Sequence, residues 1–310
     1  MRRIDAEAFF DPAQIAQSGQ CFRMEETAQG CWRILAADRA VELRRDGDEW
    51  VLSCGEEAFE GFWRSYFDLD TDYGAFLERI DPEDAYLREA AEFGKGIRIL
   101  RQDLWEMIIT FLITQQNHIP RIRRCIQNIC ERYGEEKTAE WSWTPAGDSR
   151  LAVDSAPATG RPKAIQGQRP ASGGPEPAQG SPLRYHAFPT PEALARATEE
   201  DLRACNLGYR AKYLIRTAQT IVNGGLDLQA LPSLDCAAAK QELLKLYGVG
   251  EKVADCICLF GLHHLEAFPV DTHIRQAIAA HYPDGFPAER YRGFEGVMQQ
   301  YLFFYHLFRG

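Results

Sequence analysis

The hydrophobic period of this chain changes once, near Gly55, and that change restricts the fold more than any other feature. From Cys31 to Cys54, CWRILAADRAVELRRDGDEWVLSC alternates apolar and polar residues, the two-residue period of a strand with one buried face. Asp38-Arg39 and Asp46-Gly47-Asp48 supply turns, so the stretch predicts a small antiparallel meander. After Gly55 the spacing becomes helical, in EEAFEGFWRSYF and then DPEDAYLREAAEF, where Asp81 before Pro82 marks a helix start. The expected class is α+β: a small antiparallel-sheet amino-terminal domain over 1–97, then a domain over 98–310 that reads as almost wholly helical.

The helical part is interrupted. Residues 145–182 hold seven prolines and six glycines and no aromatic residue, so the segment cannot offset its ordering entropy by burial. A disordered insertion is expected there, one whose deletion leaves function largely intact. Helical patterning resumes at TPEALARATEEDLRAC, with Thr190 before Pro191 as a capped start.

Charge and cysteine usage narrow the function classes. A net charge of -10 argues against a surface coated in cations for bulk nucleic-acid binding. A few cations and helix amino termini gathered on one face are compatible with it. The nine cysteines are scattered, odd in number and form no CxxC pair, which reads as reduced thiols with no metal site. No apolar run approaches the roughly 20 residues that span a bilayer, and the first residues lack the apolar region of a secretory signal. The expectation is a cytoplasmic protein, nucleoid-associated if prokaryotic, with no membrane contact.

Residues 236–262, CAAAKQELLKLYGVGEKVADCICLFGL, carry the chemistry. An amphipathic segment runs to Tyr247, Gly248-Val249-Gly250 turns, and an apolar helix starts at about Glu251, which makes a helix-hairpin-helix. Gly248 and Gly250 let the backbone turn and approach a ligand, and the open amides of the second helix favour an anion such as a DNA phosphate. A glycine-capped helical turn gives the same letters. Lys252 is polar at the head of the apolar run VADCICLF. A helix amino terminus and a buried wall both disfavour an ammonium and expose a nucleophilic amine; a lysine that snorkels to solvent is the alternative. In FPVDTHIRQAIAAHY, Asp271 precedes a helix as an N-cap, bonded to amides from Thr272 to Ile274. A capping carboxylate is rigid and ionised, and so able to face a developing positive charge.

LYGVGEKVADCICLFGL followed by FPVDTHI resembles the hairpin, loop and aspartate of the base-excision glycosylase superfamily, and closely its 8-oxoguanine DNA glycosylase branch. SGQCFRM, LRQDLWEMIITFLITQQNHIPRI and NLGYRAKYL resemble motifs of that branch, in the expected order, so the likeness extends over most of the chain. The resemblance implies a helix-hairpin-helix glycosylase core in which Lys252 is the nucleophile of a bifunctional glycosylase/lyase and Asp271 its partner. Gly19 would offer a carbonyl to the hydrogen that oxidised guanine carries at N7, where guanine has an acceptor. Cys256 and Phe303 would sandwich the extruded base and Gln299 would bond its Watson-Crick edge. From the residues alone, Gly19 also reads as a turn and the other three as core.

The resemblance also gives Tyr209 as a wedge filling the vacated stack and Arg210 as a reader of the orphaned cytosine. Asn117 would probe the opposite strand, with Arg121 retained as a DNA-binding residue, although Gln116-Asn117-His118 departs from the asparagine run usual in the branch. His273 would contact a phosphate, or lie on a helix surface. Met24 stands where tryptophan is common. The implied reaction is excision of 8-oxoguanine from double-stranded DNA through a lysine Schiff base, then β-elimination, by a monomer with no cofactor and no metal. An iron-sulfur relative would need a four-cysteine cluster beyond Asp271, and no cysteine follows Cys258. The competing readings are a non-catalytic helix-hairpin-helix DNA-binding protein, a glycosylase for a different damaged base, and an acidic scaffold protein.

Overall fold

The computed structural model describes residues 2–5, 9–139 and 182–310. The expected insertion over 145–182 lies, apart from Pro182, outside the described residues.

The alternation of the amino-terminal region becomes a five-stranded antiparallel sheet. Its strands are β1 (Arg2–Asp5), β2 (Met24–Ala28), β3 (Cys31–Ala36), β4 (Arg39–Asp46) and β5 (Glu49–Leu52), in the order β1-β5-β4-β3-β2. The expected meander is β3-β4-β5, and tertiary pairing adds β1 and β2 at its edges. Register Ile34↔Val41 and Leu43↔Leu52 brings the apolar positions to one face. That face buries Ile4, Trp32, Ile34, Val41, Leu43 and Leu52 against Phe10, Ile15, Trp63 and Phe67. Ile15 lies on the short helix α1 (Pro12–Gln17), and Trp63 in a π-helical turn, Phe59–Trp63, between α2 (Glu56–Ala58) and α3 (Arg64–Tyr66).

Two further short helices, α4 (Tyr73–Glu78) and α5 (Ala85–Phe93), precede residue 97 but pack elsewhere. Phe76 stacks at 4.9 Å on Phe294, the N-cap of the carboxy-terminal helix α14 (Glu295–Arg309), and Phe93 meets Phe304 of that helix at 5.4 Å. Asp81-Pro82 does not start α5. Asp81 accepts from the Glu83 amide at 2.9 Å in a turn, and Asp84 caps the helix at the Leu87 amide. The Tyr282 hydroxyl donates to the Asp84 carboxylate at 3.1 Å, a tertiary bond that a local reading cannot supply.

The remaining helices are α6 (Leu104–Thr114), α7 (Ile119–Tyr133), α8 (Pro191–Ala195), α9 (Glu199–Ala204), α10 (Ala211–Val222), α11 (Cys236–Leu243), α12 (Glu251–Gly261) and α13 (Thr272–His281). Thr190 caps α8 as expected, accepting from the Ala193 amide. The region is not wholly helical: β6 (Glu136–Ala139) and β7 (Leu183–His186) form an antiparallel ribbon, with Ala139 opposite Leu183. Tyr185 donates its hydroxyl to the Asp38 carbonyl at 2.8 Å, docking the ribbon on the β3-β4 turn.

Buried polar groups join sheet to helices. The Glu106 carboxylate on α6 accepts from the Ala37 amide at 2.8 Å and from Arg23 at 3.2 Å. Burial pushes Glu106 above the usual carboxylate range although Arg23 pulls it down. No helix among the described residues is long and apolar enough to cross a membrane.

Candidate active site

The hairpin forms where the sequence reading expects it. Asp235 caps α11 through the Ala238 amide, the helix ends at Leu243, and the chain turns through 244–250 into α12. Gly248 has φ +92°, and a side-chain carbon there would lie 2.7 Å from Cγ of Tyr213, so both conformation and space require glycine. Gly250 is the N-cap of α12; it has no capping side chain, and a carbon added to it would meet nothing within 4 Å. Open space in front of uncapped amides is the geometry that receives an anion.

Lys252 stands in the first turn of α12, its Nζ 5.6 Å from the centroid of the buried Phe111 ring on α6. One turn on is Cys256, 3% exposed. Burial pushes its thiol up, the charge and hydrogen bond of Lys252 pull it down, and Asp271 pushes it up again. Asp271 is the N-cap of α13, its Oδ1 accepting from the Ile274 amide at 2.8 Å. The structure gives it that one amide, where the sequence reading expects several from Thr272 onward. Its other oxygen makes no hydrogen bond among the described residues.

Residues of α13 and α14 pack together beside Gly19. Gly19, at φ +74°, lies beside the Phe303 ring of α14. Phe303 meets the His273 ring edge-on at 5.7 Å, and His273 lies 5.9 Å from His306. Burial and the neighbouring His273 and His281 draw His306 below the usual imidazole value, against Asp271. Gln299 is buried and donates to the Pro269 carbonyl at 3.1 Å, which ties α14 to the loop before Asp271.

Residues 114–117 and 206–213 form the opposite flank. Tyr209 is 44% exposed, and the guanidinium of Arg210 lies 4.6 Å from its ring centre. Arg121 donates to the Asn206 carbonyl at 3.3 Å.

Two family models divide the chain between them. Residues 3–108 match the amino-terminal domain of 8-oxoguanine DNA glycosylase, and residues 109–285 match the HhH-GPD superfamily base excision DNA repair protein. The chain belongs to the HhH-GPD superfamily. The N-glycosylase/DNA lyase of Saccharomyces cerevisiae is 31% identical over 297 residues, 87% of this chain and 68% of that protein. The N-glycosylase/DNA lyase OGG1 of Arabidopsis thaliana is 28% identical over 86% of this chain and 64% of its own. The chain thus spans about two thirds of the length of these curated relatives. Among solved structures, Clostridium acetobutylicum 8-oxoguanine glycosylase/lyase, in complex with double-stranded DNA containing cytosine opposite 8-oxoG, superposes with a TM-score of 0.77. It is 34% identical, with 96% of this chain and 92% of that chain covered.

Within this HhH-GPD chain, two of the expected DNA contacts are engaged by the protein's own main chain. Arg210 is 3% exposed, and its donors are taken by the carbonyls of Leu207, Gln115 and Gln116. It braces that turn, where the sequence reading offers its fork to the orphaned cytosine. Asn117 is also engaged locally, donating to the Ile113 carbonyl and accepting from the His118 amide, both at 3.1 Å. Gln116 is the exposed one, held at φ +46° with its Oε1 3.5 Å from the Tyr209 hydroxyl. A left-handed backbone at a non-glycine residue beside the wedge is the signal that sequence alone could not contain.

The other residue missed is Gln20. It is fully buried: its amide donates to Ser18 at 2.8 Å and the Arg98 carbonyl at 2.9 Å, and accepts from the Leu100 amide at 2.9 Å. Gln102 donates to its main-chain carbonyl at 2.9 Å. Four bonds thus fix the residue next to Gly19.

Several cations of this HhH-GPD protein pair with acids, and some near the site do not. Lys240 pairs with Glu251 and Asp255, Lys245 with Glu242, Arg132 with Asp201 and Arg203 with Glu199. Lys212, Arg216 and Lys252, on the elements that carry the wedge and the hairpin, and Arg121 on α7 have no carboxylate within 4.0 Å among the described residues. Cations near the site that lack a carboxylate partner are available to attract phosphate.

Proposed function

We infer that this protein is a bifunctional 8-oxoguanine DNA glycosylase and AP lyase of base excision repair, acting as a monomer on chromosomal DNA in the cytoplasm. The observation that carries the reading is Lys252 in the first turn of the uncapped helix α12, its Nζ 5.6 Å from the buried Phe111 ring, with the Asp271 carboxylate held at the head of α13.

The chemistry follows from the parts. The hairpin holds a backbone phosphate at Gly248 and Gly250, with His273 at another, and the damaged nucleotide leaves the stack as Tyr209 enters it. The Gly19 carbonyl accepts the N7 hydrogen of the oxidised base, a group that guanine lacks, while Cys256, Phe303 and Gln299 enclose the ring. Gln116 and Arg121 meet the opposite strand, with Asn117 and Arg210 bracing the turn behind them.

Lys252, as its amine, attacks C1′ as the base departs with the bonding pair. Asp271 stabilises the positive charge that develops on the sugar. Loss of the nitrogen proton and opening of the ring give a Schiff base. Loss of a C2′ proton then expels the 3′ phosphate by β-elimination, and water releases the lysine.

Borohydride trapping on a duplex with 8-oxoguanine opposite cytosine tests the reading. A covalent adduct is expected with the wild type and none with Lys252→Gln. Absence of the first, or presence of the second, overturns the lysine mechanism.

A further inference from the structure

Gln115 is the C-cap of α6 and touches two parts of the site at once. Its side-chain amide donates to the Gly248 carbonyl in the hairpin turn at 3.0 Å. Its main-chain carbonyl accepts from Arg210 Nε at 2.8 Å, from Arg210 Nη2, and from the Tyr209 hydroxyl at 3.4 Å. A second, aromatic link runs beside the polar one: Tyr213 lies edge-on to Tyr209 at 5.6 Å and to Tyr247 at 5.4 Å, and its ring backs Gly248. The wedge segment and the hairpin are distant in sequence and meet through these contacts and through Arg216 of α10, whose guanidinium lies 4.2 Å from the Tyr247 ring centre.

We propose that Gln115 is a positioning residue that couples entry of Tyr209 into the base stack to the hairpin's hold on the DNA backbone. The proposal rests on the function inferred above. Its physical basis is mechanical. A ring that replaces a flipped base is pushed back by the stack, and it stays inserted only if its segment is braced against whatever holds the duplex. Here the brace ends on Gly248, whose carbonyl belongs to the turn that presents the open amides of α12. Leucine at 115 keeps the volume and the main-chain bonds to Arg210 and Tyr209 but loses the donor to Gly248.

Single-turnover excision of 8-oxoguanine, with enzyme saturating, is measured for the wild type, Gln115→Leu, Tyr209→Ala and the double variant. Loss of one neutral hydrogen bond slows Gln115→Leu by roughly fivefold. Affinity for undamaged duplex stays within about twofold of the wild type, since the phosphate-binding amides are retained. In the Tyr209→Ala background the same substitution costs less than about twofold, because the part it braces is gone. If the two slowings multiply, or if Gln115→Leu matches the wild type, the coupling is refuted. Should Gln115→Leu fail to fold, Gln115→Met, unbranched and of similar size, is read in the same way. Borohydride trapping of the wild type on the same duplex separates the two ideas. No adduct sinks the proposed function, whereas an adduct with multiplying slowings sinks this coupling alone.

Discussion

The ring of Phe303 lies against Gly19, and a side-chain carbon at residue 19 would sit 3.1 Å from Cε1 of that ring. The backbone there is at φ +74°, so glycine answers two demands at once. One is a left-handed turn that presents a carbonyl; the other is room for an aromatic face from the far end of the chain. Gln20 fixes the first and His273 backs the second.

Gly19→Ala is expected to impair excision selectively. A left-handed alanine costs about 1 kcal/mol, and the added methyl displaces Phe303. Excision of 8-oxoguanine should fall by roughly tenfold or more, while strand cleavage at a preformed abasic site stays within about twofold. Gel assays of both reactions on the same duplex check this; an unchanged excision rate would remove Gly19 from the pocket.

Asp271→Asn separates capping from charge. Asparagine caps helices as well as aspartate does, so the bond to the Ile274 amide survives and the melting temperature should hardly move. Loss of the carboxylate opposite a cationic transition state should slow excision by about a hundredfold. A variant that melts normally and excises at the wild-type rate contradicts the assigned role.

The two hairpin glycines should respond in opposite ways. Gly248→Ala forces a carbon to within 2.7 Å of the Tyr213 ring at φ +92°, and is expected to lower stability by about 2 kcal/mol. Gly250→Ala meets open space and leaves stability nearly intact, but puts a methyl where a phosphate would approach. Melting curves and duplex titrations together decide it: weaker DNA binding without destabilisation is expected for Gly250→Ala only.

Acid sensitivity should trace in part to Asp68. It is 2% exposed, and accepts from Arg101 at 2.8 Å and from the Tyr73 hydroxyl at 3.0 Å, with His263 at 3.3 Å. Burial raises its carboxyl, but the hydrogen bond and charge of His263, joined by Arg101, outweigh burial and hold it below the ordinary 3.8. A depressed folded value means that its stabilisation is present above the unfolded value, and is lost as pH falls from about 4 through the lower folded one. Asp68→Asn should cost about 2 kcal/mol at pH 7. The gap should narrow on acidification below about pH 4. Thermal melts from pH 7 down to pH 3 give the comparison; a gap that widens in acid reverses the sign.

The legible part of the fold was whatever is written in short-range patterns. The alternation from Cys31 to Cys54 became β3, β4 and β5, and Gly248-Val249-Gly250 became the hairpin. Thr190 and Asp271 became caps. Each depends on residues within one or two turns of each other, so backbone propensity and local hydrogen bonding suffice to specify them. The ribbon β6-β7 escaped because its strands, EKTA and LRYH, carry no clear alternation and pair only across the long proline- and glycine-rich stretch.

By itself, then, the sequence determined the α+β class, the hairpin, and the presence of Lys252 and Asp271 at the heads of α12 and α13. Only the tertiary structure decided that Lys252 lies over the Phe111 ring, that Phe303 closes on Gly19, that Arg210 spends its donors on Gln115 and Gln116, and that Gln116 is left exposed. The reason is that a polar side chain can satisfy its hydrogen bonds in many ways, and the choice among them is made by which distant backbone groups the packed core brings within 3 Å or so.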